Sequence, residues 1–316
     1  MEKYYLAPME GITTYIYRNA YHKYFRKMDK YFTPFFVPHS KRGLNIKEQE
    51  EILPSNNEGL YIVPQILSNN GEDCVQTIQK IKRYGYEEIN LNFGCPSKTV
   101  AAKYRGSGFL AKPEELDRFL DTVFTKEKEA KISVKTRLGR DEPEEFKNIL
   151  SIYNKYPLEE LIIHPRVQKD HYKHDIRIPW YGYAEEHSRH SLCYNGELKT
   201  TEDILKTKQN CKKTECFMIG RGIIANPGLL TKKEICENEK IHAVEIERMQ
   251  AFLEDICCHY EEASPREIYV LFKMKEIWTY LLRTYPEHLD TIREIKKSQT
   301  IIEYKSKVRD FFALLG

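Results

Sequence analysis

Short apolar runs alternate with segments of helical periodicity over most of the chain. Runs rich in valine, isoleucine and aromatic residues are typical of strands buried in a parallel sheet. They lie at residues 4–7, 31–36, 60–66, 87–93, 131–136, 159–163, 191–194 and 216–219. The clearest helical pattern covers 71–84, where Val75, Ile78 and Ile81 share one face, and another begins at Pro113. Eight strands with helical crossovers predict an α/β fold of the (β/α)8 TIM-barrel type rather than an open doubly wound sheet.

The strand pattern stops after about residue 238, and the remaining chain predicts a helical bundle. Three apolar stripes have helical spacing. They cover 249–260, 268–282 and 301–315. Between the first two, Ser264-Pro265-Arg266-Glu267 has the form of a capping box with proline at the first helical position. We therefore predict two domains, a catalytic barrel over 1–238 and a C-terminal helical bundle domain over 239–316.

Composition is that of an ordinary globular protein, with 41% hydrophobic and 31% charged residues. No apolar run approaches the roughly 20 residues of a membrane span, and the first five residues do not resemble a secretory signal. A cytoplasmic location without a membrane partner is expected. The eight cysteines include no C-x-x-C pair and should be reduced there. Cys257-Cys258-His259 falls on a helical stripe, which favours core packing over a zinc site, so no metal is expected.

One thiol stands where a buried strand gives way to a loop. The run 87–93 is followed by Gly94-Cys95-Pro96, in which glycine and proline end the strand on both sides of Cys95. In a TIM barrel the carboxyl ends of the strands carry the catalytic side chains. Cys95 is therefore the candidate catalytic residue.

Polar or special residues follow most of the other predicted strands at the same end. Any one of them is more often structural, but their common register at a barrel mouth favours a ligand site. Lys135 would be a buried cation there, which requires an anionic partner or a lowered pKa. A reduced flavin is such an anion, and Gln65 is suited to bind its pyrimidine edge. The glycines at 196, 220 and 222 would let backbone N–H groups approach a phosphate, although two tight turns are the alternative. Together these residues indicate FMN.

Cations surround this mouth on three neighbouring loops. They are Lys98, Lys103 and Arg105, then Arg137 and Arg140, then Arg166, Lys169, Lys173 and Arg177. A polyanion would need this layer and a small neutral substrate would not. Tyr172, Trp180 and Tyr181 offer stacking surfaces for unpaired bases. In the tail, 239–262 carries two Lys/Arg against seven Asp/Glu, and 266–316 carries ten against seven. A solvated face and a phosphate-contacting face both remain open for that positive segment.

With these residues the chain resembles the tRNA-dihydrouridine synthases, and in its motifs most of all the bacterial DusC branch. The matching segments are Leu6-Ala7-Pro8-Met9-Glu10-Gly11, Asn92-Phe93-Gly94-Cys95-Pro96-Ser97-Lys98-Thr99-Val100, Val134-Lys135-Thr136-Arg137-Leu138-Gly139, Asn195-Gly196-Glu197 and Ile219-Gly220-Arg221-Gly222. They follow the family's order, and the helical tail matches the family's C-terminal RNA-binding domain. The chain departs from the family at Val167, where threonine is common, and at His174, where glycine is common.

The resemblance implies FMN as cofactor, NADPH as reductant and tRNA as substrate. NADH stays open as the donor, and the oligomeric state is open, with a monomer as the default. Hydride would pass from reduced FMN to C6 of a uridine, and Cys95 would protonate C5, a role that suits a thiol with an ordinary pKa near ~8.5. Asn92 and Arg166 would face the uracil, and Lys98, Arg137 and Tyr172 would complete the substrate contacts. The residues carried over to FMN are Pro8, Met9, Gln65, Lys135, His164, Asn195, Gly196, Glu197, Gly220, Arg221 and Gly222.

Two alternatives belong to other functional classes. A flavoenzyme for a free pyrimidine, resembling dihydroorotate or dihydropyrimidine dehydrogenases, would use its cysteine as a base and need a small closed pocket. A non-catalytic RNA-binding module would have no reason to keep Cys95 and Lys135. The cationic layer and the helical tail favour RNA as the substrate, and they leave open which uridine is chosen and whether it lies in tRNA or ribosomal RNA.

Overall fold

Eight parallel strands close into a barrel in which each strand pairs with the next and β8 pairs with β1. The structure is a computed structural model that describes residues 2–38, 43–231 and 239–316, with side chains in the last range from residue 245 onward. Within these residues β1–β8 span Lys3–Leu6, Lys30–Phe36, Ile62–Ile66, Glu88–Phe93, Lys131–Gly139, Leu161–Val167, Leu192–Tyr194 and Cys216–Ile219. The predicted TIM-barrel fold is confirmed.

Helices connect successive strands, as right-handed crossovers in a parallel barrel require. The described α-helices α1–α13 span Tyr15–Tyr24, Ile46–Ile52, Gly71–Lys82, Lys98–Ala101, Pro113–Lys126, Glu145–Tyr153, Ile178–His187, Thr201–Asn210, Arg221–Ala225, Glu239–Ala263, Glu267–Leu281, Leu289–Lys297 and Ile301–Leu315. Short 3-10 helices cover Pro54–Asn56, Gly106–Ala111, Gln168–Asp170 and Pro286–His288.

Strands β5 and β6 extend beyond their predicted ends at residues 136 and 163. Their pairing continues through Arg137 opposite His164 and Gly139 opposite Val167, with a register shift between the two pairs. The charged residues hid this extension, because an apolar run is the signal for a buried strand. Arg137 and His164 are consequently fixed on the ladder itself, not on the loops that follow it.

The chain divides into two compact units. The first comprises Met1–Pro8, Asp29–Leu198 and Glu202–Ile219 and contains all eight strands. Its interior is filled by the buried side chains of Tyr5, Ala7, Phe32, Val63, Ile162, Cys193, Cys216 and Met218. The second comprises Met9–Met28, Lys199–Thr201 and Gly220–Gly316. The domain boundary predicted at residue 238 borders residues 232–238, which lie with Cys236 outside the described residues, and it stays a prediction.

The helical unit corrects two sequence-based expectations and contains one helix that the sequence did not predict. Helix α11 begins at Glu267 with Arg266 as its N-cap and no side-chain cap bond, so the capping box at Ser264 is wrong. The Glu267 carboxylate instead accepts the N–H of Ile301, at the start of α13, at 2.5 Å. Ile268 and Phe272, assigned to a buried stripe, are 83% and 60% exposed. Helix α12 was missed between two apolar stripes. Among the described residues no helix is long and apolar enough to cross a membrane.

Candidate active site

A chain of buried amide side chains joins β3, β4 and β5. Asn92 Nδ2 donates to Gln65 Oε1 at 2.8 Å, and Gln65 Nε2 donates to Asn90 Oδ1 at 2.8 Å. Asn90 Nδ2 then donates to Ser133 Oγ at 2.9 Å. Sequence reasoning singled out Gln65 and Asn92 and missed Asn90 and Ser133. Their signal is an amide two residues before Asn92, which points to the same face of β4, and a serine in the apolar run of β5.

Asn92 also holds the backbone of the candidate catalytic residue. Its Oδ1 accepts the N–H of Gly94 at 3.0 Å and the N–H of Cys95 at 2.9 Å. Strand β4 ends at Phe93, so these two N–H groups lie beyond the ladder and are satisfied by a side chain instead. Cys95 is partly buried and is not in a disulfide. Its position at the carboxyl end of β4 is the one that the glycine and proline on either side predict.

Lys135 stands opposite Asn92 in the β4–β5 ladder. It is half-buried, and no carboxylate among the described residues forms an ion pair with it. Burial, reinforced by the Arg137 charge, lowers the pKa of Lys135 to about 8, while the Cys193 and Cys95 thiols act in the opposite direction. A half-buried cation without a carboxylate partner fits an anionic ligand.

Arg137 lies 1% exposed, and its guanidinium binds three backbone carbonyls. Nε donates to Gly94 at 3.1 Å, Nη1 to Val167 at 2.9 Å and Nη2 to His171 at 2.8 Å. The ring of Tyr172 lies 5.2 Å from the guanidinium carbon. Burial lowers the pKa of Arg137, an effect that Tyr172 opposes. Arg137 thus braces the Cys95 segment and the loop after β6 from one side chain.

His164 is a buried neutral imidazole whose tautomer follows from its partners. Burial and the charges of Arg137 and Lys135 lower its pKa well below the usual 6.5. Its Nδ1 lies 2.6 Å from the Asn195 carbonyl oxygen, which only accepts, so Nδ1 carries the proton. Nε2 therefore accepts from Arg166 Nη1 at 3.3 Å. Both ring nitrogens are occupied by protein groups, which makes His164 a support for Arg166 and Asn195.

Arg166 is the centre of a second set of contacts at this end of β6. It lies 2% exposed, and its Nε donates to the His174 carbonyl at 2.5 Å. Its Nη2 lies 3.4 Å from Glu197 Oε2, in an ion pair across β6 and the residues after β7. The resemblance assigned Arg166 to the uracil site and Glu197 to the flavin site. The structure brings these two side chains together.

The loop over residues 168–177 is tied down by a further ion pair. Asp170 is buried, accepts the N–H of Val167 at 3.0 Å and pairs with Arg177. Burial opposes ionisation of Asp170, but its bonds to Arg177 and Val167 hold its pKa below the usual value. Of the six cations predicted to face a polyanion from the ends of β5 and β6, Arg137, Arg166 and Arg177 are therefore bound within the protein.

The other candidate cofactor residues of the barrel unit follow β1 and β7. Pro8 comes after Ala7, whose N–H donates to the Ile219 carbonyl at 2.9 Å. Asn195 is buried, and its Nδ2 donates to the Met218 carbonyl at 2.8 Å. A Cβ at Gly196 would stand 2.1 Å from the Tyr194 hydroxyl oxygen, so only glycine fits there.

Four candidate cofactor residues lie in the second unit. The Met9 N–H donates to Thr13 Oγ1 at 2.8 Å. Gly220 follows β8 directly and is the N-cap of α9, which begins at Arg221 and has five residues. Gly222 is buried in the first turn of that helix. The glycines thus serve a tight strand-to-helix turn, which is compatible with both of the readings that the sequence left open.

Cations that keep no ion pair in the described residues include Lys98 and Lys173, whereas Lys169 pairs with Glu142 at 2.6 Å. In the tail, four of the ten Lys/Arg of residues 266–316 pair with neighbouring carboxylates. The pairs are Arg293–Asp290, Lys297–Glu294, Lys305–Glu261 and Lys307–Glu303, at 2.6 to 2.7 Å. These pairs favour a solvated helix face for these four cations.

The closed parallel barrel carries a thiol and a half-buried lysine near the carboxyl ends of its strands. These features place the chain in the class of TIM-barrel proteins whose site lies at the strand ends. The same fold occurs in a morphinone reductase mutant in complex with tetrahydroNAD, with a TM-score of 0.52 at 12% identity over 72% of this chain and 85% of that one. Another morphinone reductase gives a TM-score of 0.50 at 13% identity, over 72% and 84%.

The family is settled by sequence comparison. The profile of the dihydrouridine synthase (Dus) family matches residues 5–310, so the chain belongs to this family of flavin oxidoreductases. It is 28% identical to a probable tRNA-dihydrouridine synthase from Staphylococcus aureus (strain COL), over 98% of this chain and 92% of the relative. A tRNA-dihydrouridine(16) synthase from Aquipseudomonas alcaligenes is 25% identical over 93% and 95%. The one from Haemophilus influenzae is 27% identical over 80% of each chain. The resemblance drawn from the motifs is confirmed.

Proposed function

We propose that this protein reduces the C5–C6 double bond of a uridine in tRNA to dihydrouridine, with FMN as its flavin and NADPH as the reductant. The observation that carries the proposal is that Cys95, partly buried just beyond β4, follows closely on Asn92, which stands opposite the half-buried Lys135 in the β4–β5 ladder. An acid and a cation at one strand end suit a reaction in which a proton is delivered beside an anionic cofactor. The names of the relatives support tRNA as the substrate.

The residues present fit a flavin that gains negative charge on reduction. Lys135 supplies the positive charge, since no carboxylate among the described residues neutralises it. Gln65 retains one N–H beyond its bond to Asn90, which suits the pyrimidine edge of the ring. The phosphate of FMN would be held by Arg221 and by the backbone around the glycines. The residues assigned to FMN are Pro8, Met9, Gln65, Lys135, Asn195, Gly196, Glu197, Gly220, Arg221 and Gly222, and His164, whose two ring nitrogens bind protein groups, supports Asn195 and Arg166 beside them.

When bound, reduced FMN would supply a hydride for C6 of the uracil. The electron pair of the C5–C6 double bond then takes a proton at C5 from the Cys95 thiol, which leaves a thiolate that solvent reprotonates. Asn92 fixes the Cys95 backbone and keeps one Nδ2 proton for the uracil beyond its bond to Gln65. Arg166 would contact the same uracil ring. Arg137 orders the Cys95 segment and the loop after β6, since it binds backbone carbonyls in both.

We propose that tRNA binds over this mouth through Lys98 and Tyr172, that the helical domain, residues 239–316, is an RNA-binding domain, and that the enzyme acts as a cytoplasmic monomer. Tyr172 is 47% exposed and meets the ring of His164 edge-on at 6.0 Å. An exposed aromatic ring beside the proposed flavin site suits stacking of an unpaired base.

The test is dihydrouridine formation by purified, flavin-loaded protein with NADPH on unmodified tRNA, mapped by position, together with the same map for RNA from cells that lack the gene. We expect loss of dihydrouridine at one tRNA position in those cells, restored by the wild type and not by Cys95→Ala. The matched control is Cys74→Ala, which removes a buried thiol of α3 away from the site and should restore the modification.

Two results would contradict the proposal in different ways. Unchanged dihydrouridine in both tRNA and ribosomal RNA of the deletion strain, with NADPH-dependent reduction of free uracil or orotate by the purified protein, would support the free-pyrimidine alternative. A colourless protein that binds tRNA with the same affinity after Cys95→Ala would support a binding module. NADH in place of NADPH identifies the donor in the same assay.

A further inference from the structure

The Cys95 carbonyl is held by a residue that the sequence did not single out. It accepts the backbone N–H of Ser107 at 3.0 Å and the Ser107 hydroxyl at 2.8 Å. Ser107 is fully buried in the 3-10 helix Gly106–Ala111, twelve residues after Cys95. We propose that Ser107 is a positioning residue that fixes the Cys95 thiol for proton transfer, an inference that rests on the proposed role of Cys95 as the acid.

The two backbone bonds of Cys95 together determine where its side chain points. Asn92 holds its N–H from the strand side, and Ser107 holds its C=O from the side of the following loop. With both ends of the residue fixed, the direction of its Cα–Cβ bond is fixed as well, and only χ1 remains to place Sγ. Because β4 has already ended at Phe93, the sheet itself does not impose this orientation.

Gly106 also packs against Cys95, next to Ser107. Its φ of +55° lies in the left-handed region, and a Cβ there would stand 2.7 Å from the Cys95 carbonyl oxygen and 2.9 Å from the Cys95 Cβ. Only glycine permits this approach. The 3-10 helix therefore packs directly against Cys95. The absence of a side chain at Gly106 allows this approach, and the hydrogen bond from the Ser107 hydroxyl to the Cys95 carbonyl stabilises it.

The consequence for the reaction is geometric. A reacting atom displaced by about 1 Å costs on the order of 100-fold in rate, even when the change lies outside the chemistry. Ser107→Ala removes the hydroxyl bond and leaves the backbone bond at 3.0 Å. We expect kcat for dihydrouridine formation to fall about 10- to 100-fold with KM for tRNA unchanged.

The matched control is Ser151→Ala. Ser151 is an exposed residue of α6 whose hydroxyl also donates to a backbone carbonyl, that of Asn148, at 2.7 Å. It should leave kcat unaltered. Gly106→Ala, which forces a methyl group onto Cys95, should lower kcat at least as far as Ser107→Ala. If Ser107→Ala does not fold, Ser107→Cys keeps the volume with a weaker donor and should give an intermediate kcat.

A second readout does not depend on activity. Alkylation of Cys95 by iodoacetamide, followed by peptide mass spectrometry on the whole protein, should be several-fold faster in Ser107→Ala than in wild type or Ser151→Ala, because the segment is released. Equal alkylation rates and equal kcat in the two serine variants would overturn the proposal. If Cys95→Ala still forms dihydrouridine, the proposed acid is wrong, whereas faster alkylation in Ser107→Ala would still establish the positioning contact.

Discussion

The side-chain oxygen of Asn92 accepts the backbone N–H of Cys95 at 2.9 Å. Since a backbone N–H only donates, this bond fixes which end of the Asn92 amide is oxygen. Asn92 Nδ2 must then donate to Gln65, Gln65 must donate to Asn90, and Asn90 must donate to Ser133. One backbone contact at the candidate acid thus orients every amide in the buried chain.

Asn92→Asp should destabilise the protein by about 1–3 kcal/mol, because it places a carboxylate oxygen against Gln65 Oε1 where a donor stood. Asn154→Asp is the matched control: Asn154 also donates to a carbonyl, that of His187, and accepts a backbone N–H, that of Arg189, but near solvent. It should cost under about 0.5 kcal/mol. Urea unfolding at pH 7 measures both. Equal losses of unfolding free energy in the two variants would show that the orientation of the Asn92 amide does not stabilise the protein.

Lys135 should make the flavin-free protein more stable in mild alkali. Its pKa is about 8 in the folded state against the usual 10.5 of an exposed lysine, so between these pH values the unfolded chain binds more protons and the free energy of unfolding rises with pH. From pH 7 to 9.5 the rise due to Lys135 is at most about 2 kcal/mol. Lys135→Met should remove it, whereas Lys131→Met, at the exposed start of β5, should keep it. An unchanged pH slope in Lys135→Met would refute the assignment.

His164 should weaken the protein in mild acid. Its pKa is well below 6.5 when folded, so the unfolded chain takes up a proton that the folded chain refuses, and stability falls as the pH drops below about 6.5. The loss between pH 7 and 5 is at most about 2 kcal/mol. It should be absent in His164→Asn and retained in a variant of the exposed His187, His187→Asn. Nitrogen NMR of the His164 ring at pH 6 should show a neutral imidazole protonated at Nδ1, and an imidazolium there would contradict the contacts.

Tyr172 should contribute to tRNA affinity through its ring. Stacking on one base is worth about 1–3 kcal/mol, so Tyr172→Leu should raise Kd for tRNA about tenfold while Tyr172→Phe leaves it near wild type. Tyr61 is also exposed, at 51%, but precedes β3 at the opposite end of the strands, so Tyr61→Leu is the control. Filter binding at fixed salt measures Kd. The same Kd in the leucine variants of Tyr172 and Tyr61 would exclude stacking at this loop.

Local pattern was sufficient for the order of the strands and for the position of Cys95. Apolar runs, glycine and proline act within a few residues, so β4 and its abrupt end could be located without any knowledge of the fold. The same holds for Gln65 and Asn92, polar residues at the ends of buried runs. Helix α12 and the exposure of Ile268 were missed, because the spacing of apolar residues does not determine which of them pack against a neighbouring helix.

The sequence by itself determined the barrel, the candidate acid and the cations around it. Only the tertiary structure decided what those cations bind. The Arg137 guanidinium reaches carbonyls 30 and 34 residues away at Val167 and His171, and the proton of His164 is placed by a carbonyl 31 residues away. Ser107 meets Cys95 only because the loop folds back over it. These hydrogen bonds depend on which acceptors long-range packing brings within about 3 Å of each donor. A local sequence pattern does not determine which distant residues come that close.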